Sequence, residues 1–325
     1  NGDVNIAHQL IDAAIATGAD AVKFQTFIAE ENIAPKAPLA EHHLANVGKT
    51  LSHFELIKKL ELPFESFVEL KSHCEEKGAE FLSAPYDLSS AKFLIELGCR
   101  AIKISSSEMT NYPLLDVVRR SKIPVILSTG MSHWEEITDS INFCGKYNKN
   151  ICILKCTSRY PASPESINLL GIAKLKKAFP QYIIGFSDHS TGNEISLASL
   201  GFGVSIIEKH FTLDKNAWGL DHKASMAPNE FKLFIQAIRK AEKALGSHDW
   251  DIQKEEIAQR DAMRKGIYAK RNIKKGERVT LADIKFLRPS GKITPKDFFL
   301  HYMNQIVKTE IQIDEELTTD IFKGY

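Results

Sequence analysis

From residue 4 to residue 245 the sequence alternates amphipathic helical segments with short apolar runs, and this alternation constrains the fold more than any other feature. We count seven apolar runs that predict strands and eight helical segments, the first of which precedes the first strand. The predicted strands are residues 21–26, 80–84, 101–104, 124–128, 151–156, 182–187 and 204–211. Such continuous apolar runs are typical of a parallel sheet that is buried on both faces.

The alternation predicts an α/β fold of the TIM (β/α)₈ barrel type, in which each of eight strands precedes its helix. Because the chain starts on a helix, we expect the first strand to precede Asn1. A doubly wound open sheet is the alternative, although no G-x-G-x-x-G turn accompanies it. We predict a barrel over residues 1–245, a polar linker over 246–263 and a small β-rich domain over 264–325.

Composition and charge exclude several classes of function. The formal net charge of +1 lacks the basic excess that nucleic-acid binding requires. No apolar run reaches the roughly 18 residues of a membrane helix, and we see no signal peptide. The five cysteines are odd in number and show no C-x-x-C spacing. A disulfide framework is therefore not expected, and we predict a cytoplasmic protein.

Polar side chains gather where the predicted strands end, which is the end that carries the active site in a barrel. Lys23 and Gln25 share one face of their strand by alternation, and Lys103 lies within another strand. A single strand lysine is often merely solvated, but several lysines and hydroxyls at one end indicate a phosphate or carboxylate site. The hydroxyls that follow the strands include Ser106, Ser128, Ser158 and Ser187.

Two histidines, His189 and His210, lie at the ends of the last two predicted strands. Either one alone would more often be a hydrogen-bonded core residue, but together they can share a divalent metal and leave positions open for substrate and water. His222 is a third candidate, in a loop that the pattern does not place. Cys156 is interpreted as a buried strand residue, with nothing nearby to favour a thiolate.

Several of these segments together resemble the N-acetylneuraminate (sialic acid) synthase family, which includes legionaminate and pseudaminate synthases. The match spans nearly the whole chain, and its ordered set of short motifs is specific. The C-terminal Ile-Lys-Lys-Gly-Glu run, with Arg288 and Pro289, resembles the family's antifreeze-like (SAF) domain. The matching stretches of the barrel are residues 18–26, 103–108, 111–114, 127–131, 185–189, 208–212 and 221–225.

The resemblance implies a transferase that condenses phosphoenolpyruvate with an N-acyl-mannosamine-type sugar and releases phosphate, with Mn²⁺ or Mg²⁺ as cofactor. By position, Lys23, Lys103, Ser106, Ser128 and Ser187 match phosphoenolpyruvate contacts, and His189 and His210 match metal ligands. Glu108, Tyr160 and Asp221 match sugar contacts, with Glu108 orienting or deprotonating a sugar hydroxyl or the attacking water. Gln25 is expected to hold substrate or metal-bound water. Arg288 matches a guanidinium that reaches the partner subunit's barrel, so a domain-swapped homodimer is implied.

The chain departs from the family at three places. Ala84 stands where many relatives have threonine. Thr157-Ser158 replaces a Thr-Asn pair, which puts the substrate contact at Ser158 in doubt. The family's first strand, with its glutamate, is not in the sequence. N-acetylneuraminate or legionaminate is the expected product. The alternatives are a pseudaminate synthase, a phosphoenolpyruvate–aldose condensing enzyme that makes a 3-deoxy sugar acid, and a truncated, inactive sugar or phosphate binder.

Overall fold

The structure, a computed structural model, describes residues 2–38 and 52–322. Asn1 and residues 323–325, which our predicted domains include, lie outside the described residues. The chain divides into two compact units, Asn1–Gly246 and Ser247–Tyr325.

The first unit is built on a seven-stranded sheet in which every strand pairs in parallel with the next strand of the sequence. The prediction of a barrel-type α/β fold with seven strands is confirmed. The last strand is shorter than predicted, because only three of its residues keep the ladder before the chain turns away. The strands are β1 (Ala21–Thr26), β2 (Glu80–Pro85), β3 (Ile102–Ile104), β4 (Val125–Ser128), β5 (Ile151–Cys156), β6 (Ile183–Asp188) and β7 (Ile207–Lys209).

Helices cover the outside of this sheet. Their starts are fixed by side chains that accept backbone N–H groups, as Asp3, Asp87 and Asn111 do at α1, α5 and α6. In the described ranges, no helix is long and apolar enough to cross a membrane. The helices are α1 (Val4–Ala16), α2 (Ala29–Asn32), α3 (His53–Leu60), α4 (Phe64–Glu76), α5 (Leu88–Glu96), α6 (Tyr112–Ser121), α7 (Trp134–Gly145), α8 (Pro164–Ile167), α9 (Leu170–Ala178), α10 (Glu194–Leu200) and α11 (Pro228–Leu245).

The sheet is curled, so that its two edge strands face each other. Lys23 of β1 and Glu208 of β7 come within 3.8 Å, although within the described residues neither strand pairs with a neighbour on its outer side. A cavity of about 630 Å³ lies between these edges and is lined by both strands, α1 and α11. The apolar core lies between the sheet and the helices, with Phe81, Ile104 and Phe186 fully buried. The curl therefore directs the other face of the strands into one interior.

The second unit contains two antiparallel strands, β8 (Gly266–Ala269) and β9 (Ile284–Leu287), with single bridges that extend the pairing. Its own core includes Ile267, Ile273 and Phe298. Its α-helices within the described residues are α12 (Lys254–Met263) and α13 (Pro295–Asp297). The segment predicted as a linker thus contains the ten-residue helix α12, which begins with a Gln253–Glu256 capping box.

Candidate active site

Five residues from β1, β3, β4, β6 and β7 meet inside the curled sheet, and we call them the inner cluster: Lys23, Lys103, Ser128, Ser187 and Glu208. The Glu208 carboxylate lies 3.8 Å from the ammonium of Lys23 and 3.8 Å from that of Lys103. Ser187 Oγ donates to Glu208 at 2.8 Å, and Lys103 Nζ donates to Ser128 Oγ at 2.6 Å. Two ammonium groups therefore share one carboxylate, which leaves one positive charge for an anionic ligand.

The charges of this cluster depend on each other. Burial alone would raise the pKa of Glu208, but Lys103 and Lys23 overcome it and lower the pKa to about 2. Burial lowers the pKa of Lys103, and Glu208 opposes that shift by favouring the ammonium. The ionised form of each group therefore requires the other, as expected for titratable groups brought out of water together.

His189 and His210, the imidazole pair, lie side by side with ring centroids 5.2 Å apart. The Tyr160 ring packs on both, at 4.1 Å and 5.4 Å between centroids. His189 Nδ1 lies 2.8 Å from the carbonyl oxygen of Thr157, and a proton donated there leaves Nε2 with its lone pair. Burial lowers the pKa of His210 to about 4, so this imidazole is neutral near pH 7.

The donor set fits an open metal site. Neutral imidazoles bind divalent metals, and Asp221 Oδ2 lies 3.8 Å from His210 Nδ1. Within residues 2–38 and 52–322, no group of three or more His, Cys, Asp or Glu side chains is arranged to hold a metal ion. A cation held by two imidazoles would keep positions for substrate and water, as catalytic sites do. His222 lines the same 630 Å³ cavity as His210, and its Nδ1 lies 2.7 Å from the hydroxyl of Thr212.

Hydroxyl groups connect the two halves of the site. Gly130 N–H donates to Ser106 Oγ at 3.0 Å, and Ser158 Oγ lies 4.0 Å from Cys156 Sγ. A Cβ on Gly130 would collide with the hydroxyls of Ser158 and Ser106. Glycine is therefore required where the β4 turn meets these two side chains.

The remaining predicted site residues lie in three places. Glu108 is buried in the short 3₁₀ turn Ser106–Glu108 and accepts from Asn111 at 2.7 Å. Gln25 lines the same 630 Å³ cavity as Lys23, Lys103, His210 and Asp221. Arg288 is exposed after β9 in the second unit. The structure thus brings the barrel residues together at one end, whereas Arg288 belongs to the other unit.

Two residues of the site were missed. Glu208 was visible only as a polar residue at a strand end, yet it lies two positions before His210, and alternation along the strand puts both on one face. The sequence predicts Cys156 as a buried strand residue, which the structure confirms, but the sequence shows nothing nearby that would favour a thiolate. Its sulfur lies 3.8 Å from His189 Nδ1, and although burial raises a thiol pKa, contacts with His189 and Ser106 lower this one to about 7.

On the opposite face of β6 and β7, Asp188 and Lys209 form what we call the outer pair. Lys209 Nζ donates to Asp188 at 2.8 Å and to the carbonyl oxygen of Ser190 at 2.6 Å. Asp188 also accepts from the hydroxyls of Ser190 and Ser196, each at 2.6 Å. The two side chains are 2% and 0% exposed, and each precedes one histidine of the imidazole pair in the chain.

Comparisons with known proteins agree with this fold. Residues 10–249 match the NeuB family, and residues 264–321 match the SAF domain. N,N'-diacetyllegionaminic acid synthase of Campylobacter jejuni subsp. jejuni serotype O:2 is 41% identical over 297 residues, covering 90% of this chain and 89% of that protein. Pseudaminic acid synthase of the same organism is 31% identical, covering 99% and 93%.

A solved structure extends the comparison to the fold. The crystal structure of N-acetylneuraminic acid (sialic acid) synthetase from Leptospira borgpetersenii serovar Hardjo-bovis in complex with citrate matches with a TM-score of 0.70 and 32% identity. The match covers 79% of this chain and 85% of that one. These findings define the class as barrel enzymes that synthesise nonulosonic acids. This chain belongs to the NeuB family and is a phosphoenolpyruvate-dependent, carbon–carbon bond-forming synthase of that class, as its sequence predicts.

Proposed function

We propose that this enzyme makes legionaminate or N-acetylneuraminate from phosphoenolpyruvate and the corresponding N-acyl amino sugar. The observation that carries the proposal is the convergence of Lys23 and Lys103 on Glu208 beside the imidazole pair. A phosphorylated enol carboxylate carries several negative charges, and the inner cluster offers two ammonium groups. The 41% identity to a legionaminic acid synthase supports the diacetamido sugar as the first candidate substrate.

Phosphoenolpyruvate would bind in the inner cluster. Lys23 and Lys103 would hold its charge, while Ser128 and Ser187 are already oriented by Lys103 and Glu208. Ser106 and Ser158, which flank Gly130, would contribute further hydroxyls. Fixed donors of this kind stabilise charge that develops in the transition state without reorganising at that moment.

The imidazole pair would hold a divalent cation, Mn²⁺ or Mg²⁺, which supplies a Lewis acid for the aldehyde oxygen of the sugar. Tyr160 and Asp221, which contact or approach the two imidazoles, are placed to bind the sugar. Glu108 would orient or deprotonate a sugar hydroxyl or the attacking water. Gln25 would hold substrate or water on the Lys23 face of β1.

The reaction balances with these groups. A bond forms between C3 of phosphoenolpyruvate and the aldehyde carbon, whose oxygen takes a proton and becomes a hydroxyl. Water then adds to C2 and loses its protons as the carbonyl forms, and the bond from C2 to the phosphate oxygen breaks. Inorganic phosphate leaves with the electron pair of that bond.

The test is an assay of the purified protein with phosphoenolpyruvate and Mn²⁺. N-acetylmannosamine is compared with 2,4-diacetamido-trideoxy sugars, and phosphate release and product mass are recorded. We expect phosphate only when an N-acyl amino sugar is present, with loss of turnover after chelation that Mn²⁺ restores. Turnover of an unmodified aldose without metal would contradict the proposal. A product with the pseudaminate configuration would favour the second candidate, which residues 155–158 and the 31% identical relative support.

We also propose that Arg288 serves the barrel of a partner chain in a cytoplasmic, domain-swapped homodimer. The test mixes two inactive proteins, Arg288→Ala and Lys103→Met, under conditions of subunit exchange. If Arg288 acts on the partner, each mixed dimer regains one site with both groups. Equal mixing should then restore about a quarter of the wild-type activity, since half of the dimers are mixed and each carries one of two sites. No recovery would show that Arg288 acts within its own chain.

A further inference from the structure

A second cleft, separate from the 630 Å³ cavity, lies where β4 and β5 end, between α7 and α9. Its volume is about 530 Å³. We call it the basic cleft, and its walls include Lys155, Lys174, His133, Trp134, Thr157 and Ser158. Lys155 and Cys156, the last two residues of β5, both line it. Gly171 leaves room for the lysine stem, which comes within 3.3 Å of the position of an added Cβ.

The cleft carries positive charge that no carboxylate balances. Among the residues that line it there are two lysines and one histidine but no Asp or Glu. Lys155 Nζ donates only to oxygens without charge, the carbonyl of Cys156 at 3.1 Å and the hydroxyl of Thr157 at 3.0 Å. Lys174 Nζ lies 3.9 Å above the Trp134 ring. In the part of the chain that the structure describes, neither ammonium lies within 4.0 Å of a carboxylate.

Burial makes this arrangement unfavourable without a ligand. Desolvation lowers the pKa of Lys155. The Cys156 thiol opposes this shift, but no carboxylate among the lining residues does so as Glu208 does for Lys103. A half-buried ammonium without a carboxylate partner is costly, whereas an exposed lysine such as Lys177 of α9 is solvated. An anion in the cleft would remove that cost.

The basic cleft shares a wall with the active site. Thr129, Cys156 and Ser158 line it, and Cys156 also contacts Ser106 and His189 of the site. Any anion that leaves the hydroxyl groups around Gly130 on this side therefore meets Lys155 and Lys174. The reaction in the proposed function releases such an anion.

We propose that the basic cleft binds a phosphate dianion, and that its occupant is the inorganic phosphate released from phosphoenolpyruvate as it leaves the site. This assignment rests on the proposed function for the source of the phosphate. Lys155 would hold the dianion from the β5 side and Lys174 from α9, with Thr157 and Ser132 as hydroxyl donors. If phosphate stays bound in the cleft after the chemical step, added phosphate should inhibit the enzyme, and excess phosphoenolpyruvate should not relieve that inhibition.

The test measures binding of inorganic phosphate to the full-length, metal-free protein by ³¹P NMR or calorimetry. It compares wild type with Lys155→Met, Lys174→Met and the control Lys177→Met, an exposed lysine of the same helix as Lys174 that does not line the cleft. We expect each cleft variant to weaken phosphate binding at least tenfold and the control to leave it within twofold. Unchanged binding in Lys174→Met, an exposed position that should not impair folding, would overturn the proposal.

Two further experiments test where phosphate binds and whether it is the reaction product. Phosphate inhibition of turnover should be noncompetitive with phosphoenolpyruvate in wild type and weakened in both cleft variants, with the KM for phosphoenolpyruvate unchanged. Purely competitive inhibition would place phosphate in the inner cluster instead and overturn the cleft. The second experiment measures binding of a hexosamine 6-phosphate. If it binds tenfold more tightly than inorganic phosphate and Lys155→Met removes that binding, the natural ligand of the cleft is not the released phosphate. The binding experiment needs no turnover, so its result can be interpreted even if the proposed reaction is wrong.

Discussion

The inner cluster and the outer pair lie on opposite faces of β6 and β7, and both join lysine to a carboxylate, which is partly buried in Glu208 and fully buried in Asp188. In the outer pair the ions meet at 2.8 Å, and hydroxyl and carbonyl groups complete their hydrogen bonds. In the inner cluster one carboxylate stands 3.8 Å from each of two ammoniums. The outer pair has equal and opposite charges and complete hydrogen bonds, so it is suited to stabilising the fold. The inner cluster has one excess positive charge and longer ion–ion distances, so it is suited to binding an anion.

The largest expected effect comes from breaking the outer pair. Asp188→Ala leaves the ammonium of Lys209 buried without its counter-charge, so we expect a loss of about 3–5 kcal/mol in the free energy of unfolding. Urea denaturation measures it. The matched control is Asp20→Ala, which breaks an exposed pair with Arg239 and should cost about 0–1 kcal/mol. Equal losses in the two variants would remove the distinction between the clusters.

Acid should act on the inner cluster. The pKa of Glu208 falls from 4.5 to about 2 on folding. Its contribution is therefore complete above pH 4.5 and is lost as the pH falls from 4.5 through 2, because the unfolded chain binds the proton first. The amount is roughly 3 kcal/mol. Glu208→Gln should remove this part of the pH dependence of unfolding in metal-free protein. An unchanged slope between pH 5 and 2 would contradict the shared-carboxylate arrangement.

Lys103→Met should separate activity from stability. The variant loses a charged donor, which contributes about 1.5–3 kcal/mol to binding of an anion, so kcat/KM for phosphoenolpyruvate should fall by about 10- to 100-fold or more. Stability should fall by less than in Asp188→Ala, because Lys23 still pairs with Glu208 and the desolvated ammonium of Lys103 is gone. Kinetics and thermal unfolding of the same preparation give both values. A variant that loses stability with unchanged kinetics would make the inner cluster structural.

The smallest effect is expected when both members of the outer pair are replaced together. Asp188→Asn with Lys209→Met leaves no charge buried, and such replacements are often nearly neutral. We expect the double variant to unfold within about 1 kcal/mol of wild type. Mn²⁺ affinity, measured by electron paramagnetic resonance, should stay within threefold if the pair acts only on stability. A larger loss would show that it also positions His189 and His210.

The strands and the active-site end were predictable because they depend on local pattern. Buried strands read as apolar runs, and Lys23, Lys103, His189 and His210 stand out as polar residues at their ends. The contacts among them were not predictable, because Lys23 and Glu208 meet only through the curl of the sheet, 185 positions apart in the chain. The same holds for Cys156, whose lowered pKa depends on His189, the residue that follows β6.

Glu208 shows how far the site could be predicted from the sequence. Alternation placed it on the face of His210, but a glutamate at a strand end is also a common solvated residue. Only the position of two lysines from β1 and β3 gives it a function. The basic cleft could not be predicted from the sequence either. It is characterised by the lack of Asp and Glu among its lining residues, and the sequence does not show which residues line it.

The contact between Lys23 and Glu208 has a consequence for how the sheet responds to a ligand. It joins the first and the last of the seven described strands, because the two side chains come within 3.8 Å of each other across the interior. An anion that binds the inner cluster would therefore restrain β1 and β7 together. The backbone amide hydrogens of both strands should exchange more slowly with solvent when the cluster is occupied.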